Sequence, residues 1–485
     1  MTRSSIDNPP LTPTVMNRWS RTFRTLRGAI RVLWKSPGGI LKDVEKYLAR
    51  RVFSPAERPI SHLPAPDDLP QCQPLNLRIC AGLKPTLNLL IPGLRLSVLS
   101  GGPNTALNLA YRLAAAGLPI RILSTDLSVE ADHQLIWQHL QSLTGIHRRL
   151  PNVQLVSAHD RGRPVLIGTN DQFLATAWWT VHQIRHALDQ LSSPKFFYLI
   201  QDYEPALYPW STNAALAEAT YALDHQPIFC SRLLADYFRE QRVGRFADPE
   251  FVKSSLSFEP AVDEALFTPP ARLNTSSLES HPAGQTKRKL LFYARPGAPR
   301  NLYEMGLVAL RRAVDRGLFA AHEWELWFMG DDLPPVDLGE GQIIRQAPWA
   351  GYTQYAELLQ TADVGLSLML SPHTSYPPLE LAACGASVVT NTYSVKTASR
   401  LRAISTNLIS VPADVDAVTA GLHEAVLRVD QIPLRRAGAK LNLPRHWDDS
   451  FAQLIPQIMR LWAQQCQQTD PLVPPVSHAA GSIAA

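Results

Sequence analysis

The chain has 485 residues, 45% of them hydrophobic and 18% charged, which suits two or three globular domains with ample core and excludes a broadly disordered protein. Its net charge of +5 is unevenly placed, because residues 1–60 hold 12 Lys and Arg against 4 Asp and Glu while the remainder is about neutral. No run of 18 apolar residues predicts a spanning helix. Cys72, Cys80, Cys230, Cys384 and Cys466 form no CxxC pair, and the histidines have no zinc spacing, so no metal is expected. An odd cysteine count without a secretory signal points to a reducing, cytoplasmic setting.

In the basic head, Trp19, Phe23, Leu26, Ile30, Leu33 and Trp34 share one helical stripe, flanked by Arg18, Arg21, Arg24, Arg27, Arg31 and Lys35. Such a stripe either lies on an anionic membrane surface through residues 16–35 or packs on the protein body with its arginines in water. Nucleic acid is not an expected partner, since no recognised binding motif accompanies the charge.

From residue 61 to 270 the chain settles into strand and helix alternation. Thr86–Ile91 reads as a buried strand, Gly101-Gly102 as the turn before a helix over 105–116, and Ile120–Leu123 as the next strand. This is the opening unit of a doubly wound sheet. The glycine pair suits either a phosphate or merely a tight turn, because the segment lacks the full spacing of a nucleotide loop. Further strands are predicted at Val153–Val156, Val165–Gly168, Phe196–Ile200 and Ile228–Cys230, with a helix over 175–188. Polar groups follow two of them: Asp171 after the fourth, and Asp202, Tyr203 and Glu204 after the fifth. Carboxyl ends of parallel strands are where α/β sites form. These carboxylates therefore either orient an acceptor hydroxyl or cap helices. The Trp178-Trp179 pair reads as core or as a sugar-stacking face.

A hydrophilic stretch, residues 271–289, separates this unit from a second α/β domain at 290–445. Its strands are predicted at Leu290–Tyr293, Glu325–Met329, Ile343–Arg345, Val364–Leu368, Ser387–Thr390 and Leu408–Val411. Arg295 and Arg300 follow the first strand, where two cations can neutralise a leaving diphosphate or simply stand in a solvated loop. Residues 446–466 read as one closing helix and 467–485 as an aperiodic tail without a fold of its own.

Within the second domain, Ser371–Asn391 (SPHTSYPPLELAACGASVVTN) combines a turn-forming loop, a short apolar helix carrying Glu380, a stop at Gly385 and a β-branched strand. A carboxylate on the first turn of such a helix can accept ribose hydroxyls while loop amides face a diphosphate, or it can merely favour the helix dipole.

This segment resembles the donor site of GT-B glycosyltransferases of the family 4 type, in which two glutamates stand eight positions apart. Glu380 matches the second, on the ribose, whereas Pro372 occupies the place of the first, near the transferred sugar. The stretches NDQFLATAWWTV from Asn170, FFYLIQDYEPALYPW from Phe196, FEPAVDEALFTP from Phe258 and FYARPGAPRNLYEMG from Phe292 narrow the likeness to WsaF-type rhamnosyltransferases. The resemblance implies a fold of two Rossmann-like domains facing a cleft, with residues 446–466 crossing back to the first domain. It implies transfer of a deoxyhexose, rhamnose from dTDP-rhamnose, to a growing polysaccharide or O-antigen-like glycan, lipid-linked or not. Another sugar nucleotide, and a non-catalytic glycan-binding scaffold, remain alternatives.

The candidate catalytic residues are then Arg295, Arg300 and Asp171; Arg295 and Arg300, with Ser375, Tyr376 and Glu380, hold the donor. Gly101, Gly102, Asp202, Tyr203 and Glu204 line the acceptor side or the cleft. No metal is implied, since Asp331-Asp332 lacks the DxD spacing of metal-dependent transferases.

Overall fold

The computed structural model describes residues 69–99, 101–273, 287–348 and 351–467. The basic stripe, most of the hydrophilic connection and the tail lie outside the described residues. Sixteen strands are present among the described residues: β1 Leu77–Cys80, β2 Leu87–Ile91, β3 Ile120–Ser124, β4 Val153–Ser157, β5 Val165–Gly168, β6 Gln172–Ala175, β7 Phe196–Ile200, β8 His225–Phe229, β9 Leu256–Ser257, β10 Arg288–Ala294, β11 Trp324–Gly330, β12 Val336–Gly339, β13 Gln342–Gln346, β14 Val364–Leu366, β15 Ser387–Asn391 and β16 Leu408–Val411.

They form two seven-stranded sheets, in the orders β4-β3-β2-β6-β7-β8-β9 and β12-β13-β11-β10-β14-β15-β16, plus the small pair β1-β5. All pairings are parallel except β12 with β13. Buried parallel strands need apolar residues on both faces, because crossover helices cover both. β2 and β7 are accordingly buried throughout. In β10, Leu290 and Phe292 enter one apolar cluster and Leu291 between them enters another, the two-residue period of a strand.

Each large sheet starts near its centre, winds to one edge, then crosses to the other side of its first strand. The reversal falls between β2 and β6 in the first domain and between β10 and β14 in the second. Crevices for ligands open at the carboxyl ends of strands at such points.

Several boundaries differ from the sequence reading. The helix expected to start at residue 105 begins at Gly101, so the glycine pair forms its first turn. Gly117, with φ +102°, follows its end. Val165–Gly168 is a strand but belongs to the small β1-β5 pair; the central strand is β6, Gln172–Ala175, four residues too short to show a period. The closing segment breaks into two helices, Trp447–Phe451 and Leu454–Gln467. Pro456 explains the break, since proline is tolerated in a first turn and not in a helix interior. Leu454, Ile458 and Trp462 of the second helix join the apolar core of the first domain.

Trp178 is fully buried and donates through Nε1 to the Tyr208 hydroxyl at 3.0 Å, and Trp179 donates to Asp126 at 2.8 Å. The pair is structural rather than an open stacking face.

Candidate functional site

Residues from the carboxyl ends of β2, β7, β10, β14 and β15 converge between the two sheets. After β7, Asp202 stands with 13% of its side chain exposed and accepts from Nη1 of Arg300 at 2.6 Å, across the domain boundary. Its other oxygen accepts from the Ser371 hydroxyl. The turn Pro299–Asn301 carries Arg300, and the backbone of that turn is stitched to the loop after β14 by a Leu370 N–H bond to the Arg300 carbonyl at 2.8 Å. A third contact between the domains joins the hydroxyls of Thr105 and Tyr376 at 2.9 Å.

The loop from Ser371 to Tyr376 is internally held. Ser371 Oγ accepts the His373 N–H at 3.0 Å, and His373 Nδ1 accepts the Ser375 N–H at 3.0 Å. Ser375 adopts φ +67°, a left-handed conformation uncommon for a residue with a side chain and frequent where loops shape sites. Beneath the loop, Lys396 is buried after β15 and donates from Nζ to the carbonyls of Met369 at 2.9 Å and His373 at 3.5 Å. Burial pushes its pKa down to about 7, against the opposing pull of Asp202.

Glu380 lies on the helix Pro377–Ala383, 5% exposed, and accepts the Tyr355 hydroxyl at 2.7 Å. Burial raises its pKa to about 7, so its charge is poorly solvated and open to stabilisation by hydroxyl donors. Arg295 follows β10 and pairs with Asp331 at 3.3 Å, its side chain 43% exposed. On the opposite wall, Gly101 carries φ +30°, and a Cβ on Gly102 would stand 3.2 Å from Oε1 of Gln201, so the start of that helix lies against the turn leading to Asp202.

Glu204 accepts the Tyr198 hydroxyl at 3.1 Å, and burial raises its pKa to about 8, with Asp202 adding repulsion. Its charged form is disfavoured by this burial. Tyr203 donates to Glu218 at 2.7 Å and its ring packs among Tyr221, Tyr237 and Phe238, so it is a packed wall rather than a free platform for a sugar.

Asp171 requires a correction. It precedes β6, at the amino ends of the strands and away from the residues just described, because the strand assumed to lead into it lies outside the main sheet. Only 1% exposed, it accepts from Thr86 N–H at 3.0 Å, Asn88 Nδ2 at 3.1 Å and Arg121 Nη1 at 3.2 Å. These bonds tie the starts of β2, β3 and β6 together. These bonds give Asp171 the place of a structural hub at the amino ends of the strands, not the place after a strand end that the sequence reading assumed.

The sequence reading missed Thr105, Ser371, His373 and Lys396. Only the loop position of Ser371 and His373, within the segment already singled out, could have marked them. Among the described residues no group of three or more His, Cys, Asp or Glu is placed to hold a metal ion.

Residues 86–232 match the family model for the WsaF N-terminal domain, and residues 288–423 match that for the WsaF C-terminal domain. The chain belongs to the WsaF family. The O-antigen biosynthesis protein RfbC of Myxococcus xanthus is 34% identical over 226 residues, which make up 47% of this WsaF-family chain and 16% of that much longer protein. Among solved structures, a glycosyltransferase from Rickettsia africae ESF-5 aligns with a TM-score of 0.51 at 13% identity, covering 79% of this chain and 98% of that one. Anabaena Alr3699/HepE in complex with UDP and glucose aligns with a TM-score of 0.52 at 12% identity, covering 79% and 100%. The fold is the GT-B arrangement of two Rossmann-like domains.

Proposed function

We propose that this WsaF-family chain transfers a deoxyhexose, rhamnose from dTDP-rhamnose, to a growing polysaccharide or O-antigen-like glycan. The observation that carries the reading is the convergence of Arg300, the Ser371–Tyr376 loop and Asp202 at facing strand ends of two doubly wound domains. Arg295 and Arg300 neutralise the leaving diphosphate, Glu380 accepts the ribose hydroxyl, and Ser375 and Tyr376 border the donor. The interdomain contacts keep water from the reacting centre. Asp202 now occupies Arg300; a bound diphosphate competes with it for the guanidinium. No metal takes part in this scheme.

A donor screen tests the reading. Among dTDP-, UDP- and GDP-sugars, dTDP-rhamnose is expected to give the largest rise in melting temperature and slow hydrolysis, with transfer to short rhamnose oligomers. A preference for a UDP- or GDP-hexose would change the donor. Absence of both binding and hydrolysis would favour a non-catalytic glycan-binding scaffold, the alternative motivated by Pro372 at the first glutamate position.

The acceptor is lipid-linked in this reading, and the enzyme works in the cytoplasm at a membrane surface. Among the described residues no helix is long and apolar enough to cross a membrane. The support for attachment is the basic stripe at 16–35, where each Lys or Arg near an anionic surface adds roughly 1 kcal/mol to the apolar term. Deleting residues 1–60 is expected to leave donor binding intact and to abolish sedimentation with phosphatidylserine vesicles. Full-length protein that stays in the supernatant at low salt would refute attachment.

A further inference from the structure

His373 stands one residue beyond Pro372, on the loop after β14, and is 8% exposed. Its Nδ1 accepts the Ser375 N–H, and burial pushes its pKa down to about 4, so the ring is neutral at physiological pH. A neutral imidazole that accepts at Nδ1 carries its hydrogen on Nε2. That Nε2 is buried and meets no acceptor among the described residues. Nε of Arg300 is in the same condition. Arg300, Asp202 and Lys396 all lie close enough to act on the imidazole electrostatically.

Buried donors are almost always paired, because leaving one without an acceptor forfeits its hydration. Two such donors near one another call for a ligand that accepts at several points. The anion of Asp202 already held by Arg300 shows the charge that this place favours. Phosphate oxygens accept only, and two bridged phosphates can meet both groups.

Resting on the donor-site reading above, we propose that His373 is a diphosphate-binding residue, its neutral Nε2–H donating to a phosphate oxygen beside Arg300. The loop backbone that presents it is fixed by Lys396 through the carbonyls of Met369 and His373 itself. In this chain the place after Pro372 thus supplies a hydrogen-bond donor to the leaving group, next to the position where a carboxylate toward the sugar is missing.

Two substitutions separate this role from loop support. His373→Asn keeps an oxygen near Nδ1 for the Ser375 N–H and removes the donor at Nε2. His373→Gln sets an amide nitrogen near Nε2 and gives up the Ser375 bond. In calorimetric titration with dTDP, His373→Asn is expected to weaken binding about tenfold or more, the loss typical of a charge-assisted hydrogen bond, with thymidine affinity and the unfolding midpoint unchanged. His373→Gln is expected to retain most of the affinity, and a loss as large as that of His373→Asn, or of His373→Ala where the Asn variant fails to fold, would assign the effect to the Ser375 bond and overturn the proposal. Wild-type binding of dTDP with no loss in His373→Asn, or a loss seen only with dTDP-rhamnose, would overturn the diphosphate assignment and leave the donor site standing. Wild-type protein that binds neither dTDP, UDP nor GDP would overturn both.

Discussion

Replacing Arg300 by alanine is expected to reduce sugar transfer by about 10²- to 10³-fold, the range seen when one preorganised donor to a developing negative charge is removed. The guanidinium has two roles that the variant removes together. In the structure it neutralises Asp202 across the domain boundary at 2.6 Å, with the two side chains 22% and 13% exposed. In the donor complex it is expected to face the diphosphate. Arg300→Lys keeps the charge but not the planar fork, so it should fall between wild type and alanine. A double variant distinguishes the roles. Arg300→Ala with Asp202→Asn removes the unpaired carboxylate that the single change leaves behind, and should regain stability without regaining turnover. Equal turnover in the wild type and Arg300→Ala, measured with saturating donor, would limit Arg300 to holding the domains together.

What the sequence disclosed depended on how far apart the cooperating residues stand. The strands β2, β7, β10 and β15 were legible because buried parallel strands are short apolar runs between turn signals. The donor segment was legible because loop, helix, Gly385 and strand follow one another within residues 371–391. Arg295 and Arg300 were legible by their place after a strand. The partner of Arg300 was not, since Asp202 lies 98 positions earlier and only the packing of two domains brings them together. His373 and Lys396 escaped notice for a related reason. A lone histidine or lysine reads as a solvated residue until burial and its bonding partners are known. One local error had a larger consequence. β6 is four residues long, with no alternation to mark it, and its omission turned the residue before a strand into the residue after one.

That residue supplies the second large effect. Asp171→Ala is expected to lower the free energy of unfolding by about 3 kcal/mol or more, since removing one partner of a buried ion pair leaves the other charge and its neighbours uncompensated. Arg121, 12% exposed, would lose its carboxylate; Asn88 and the Thr86 N–H would lose an acceptor in the same stroke. The damage lies at the amino ends of β2, β3 and β6, whereas donor groups stand at carboxyl ends of strands in the other domain. Nucleoside diphosphate affinity, measured on folded variant at low temperature, should therefore stay within about twofold of wild type. Asp171→Asn keeps the shape and one acceptor, but turns an amide N–H₂ toward Asn88 or Arg121, so it should recover only part of the loss. Urea unfolding followed by tryptophan fluorescence, together with calorimetric titration of dTDP, reads both quantities. Unchanged stability with abolished transfer would return Asp171 to the catalytic machinery and would require the cleft to reach the opposite end of the sheet.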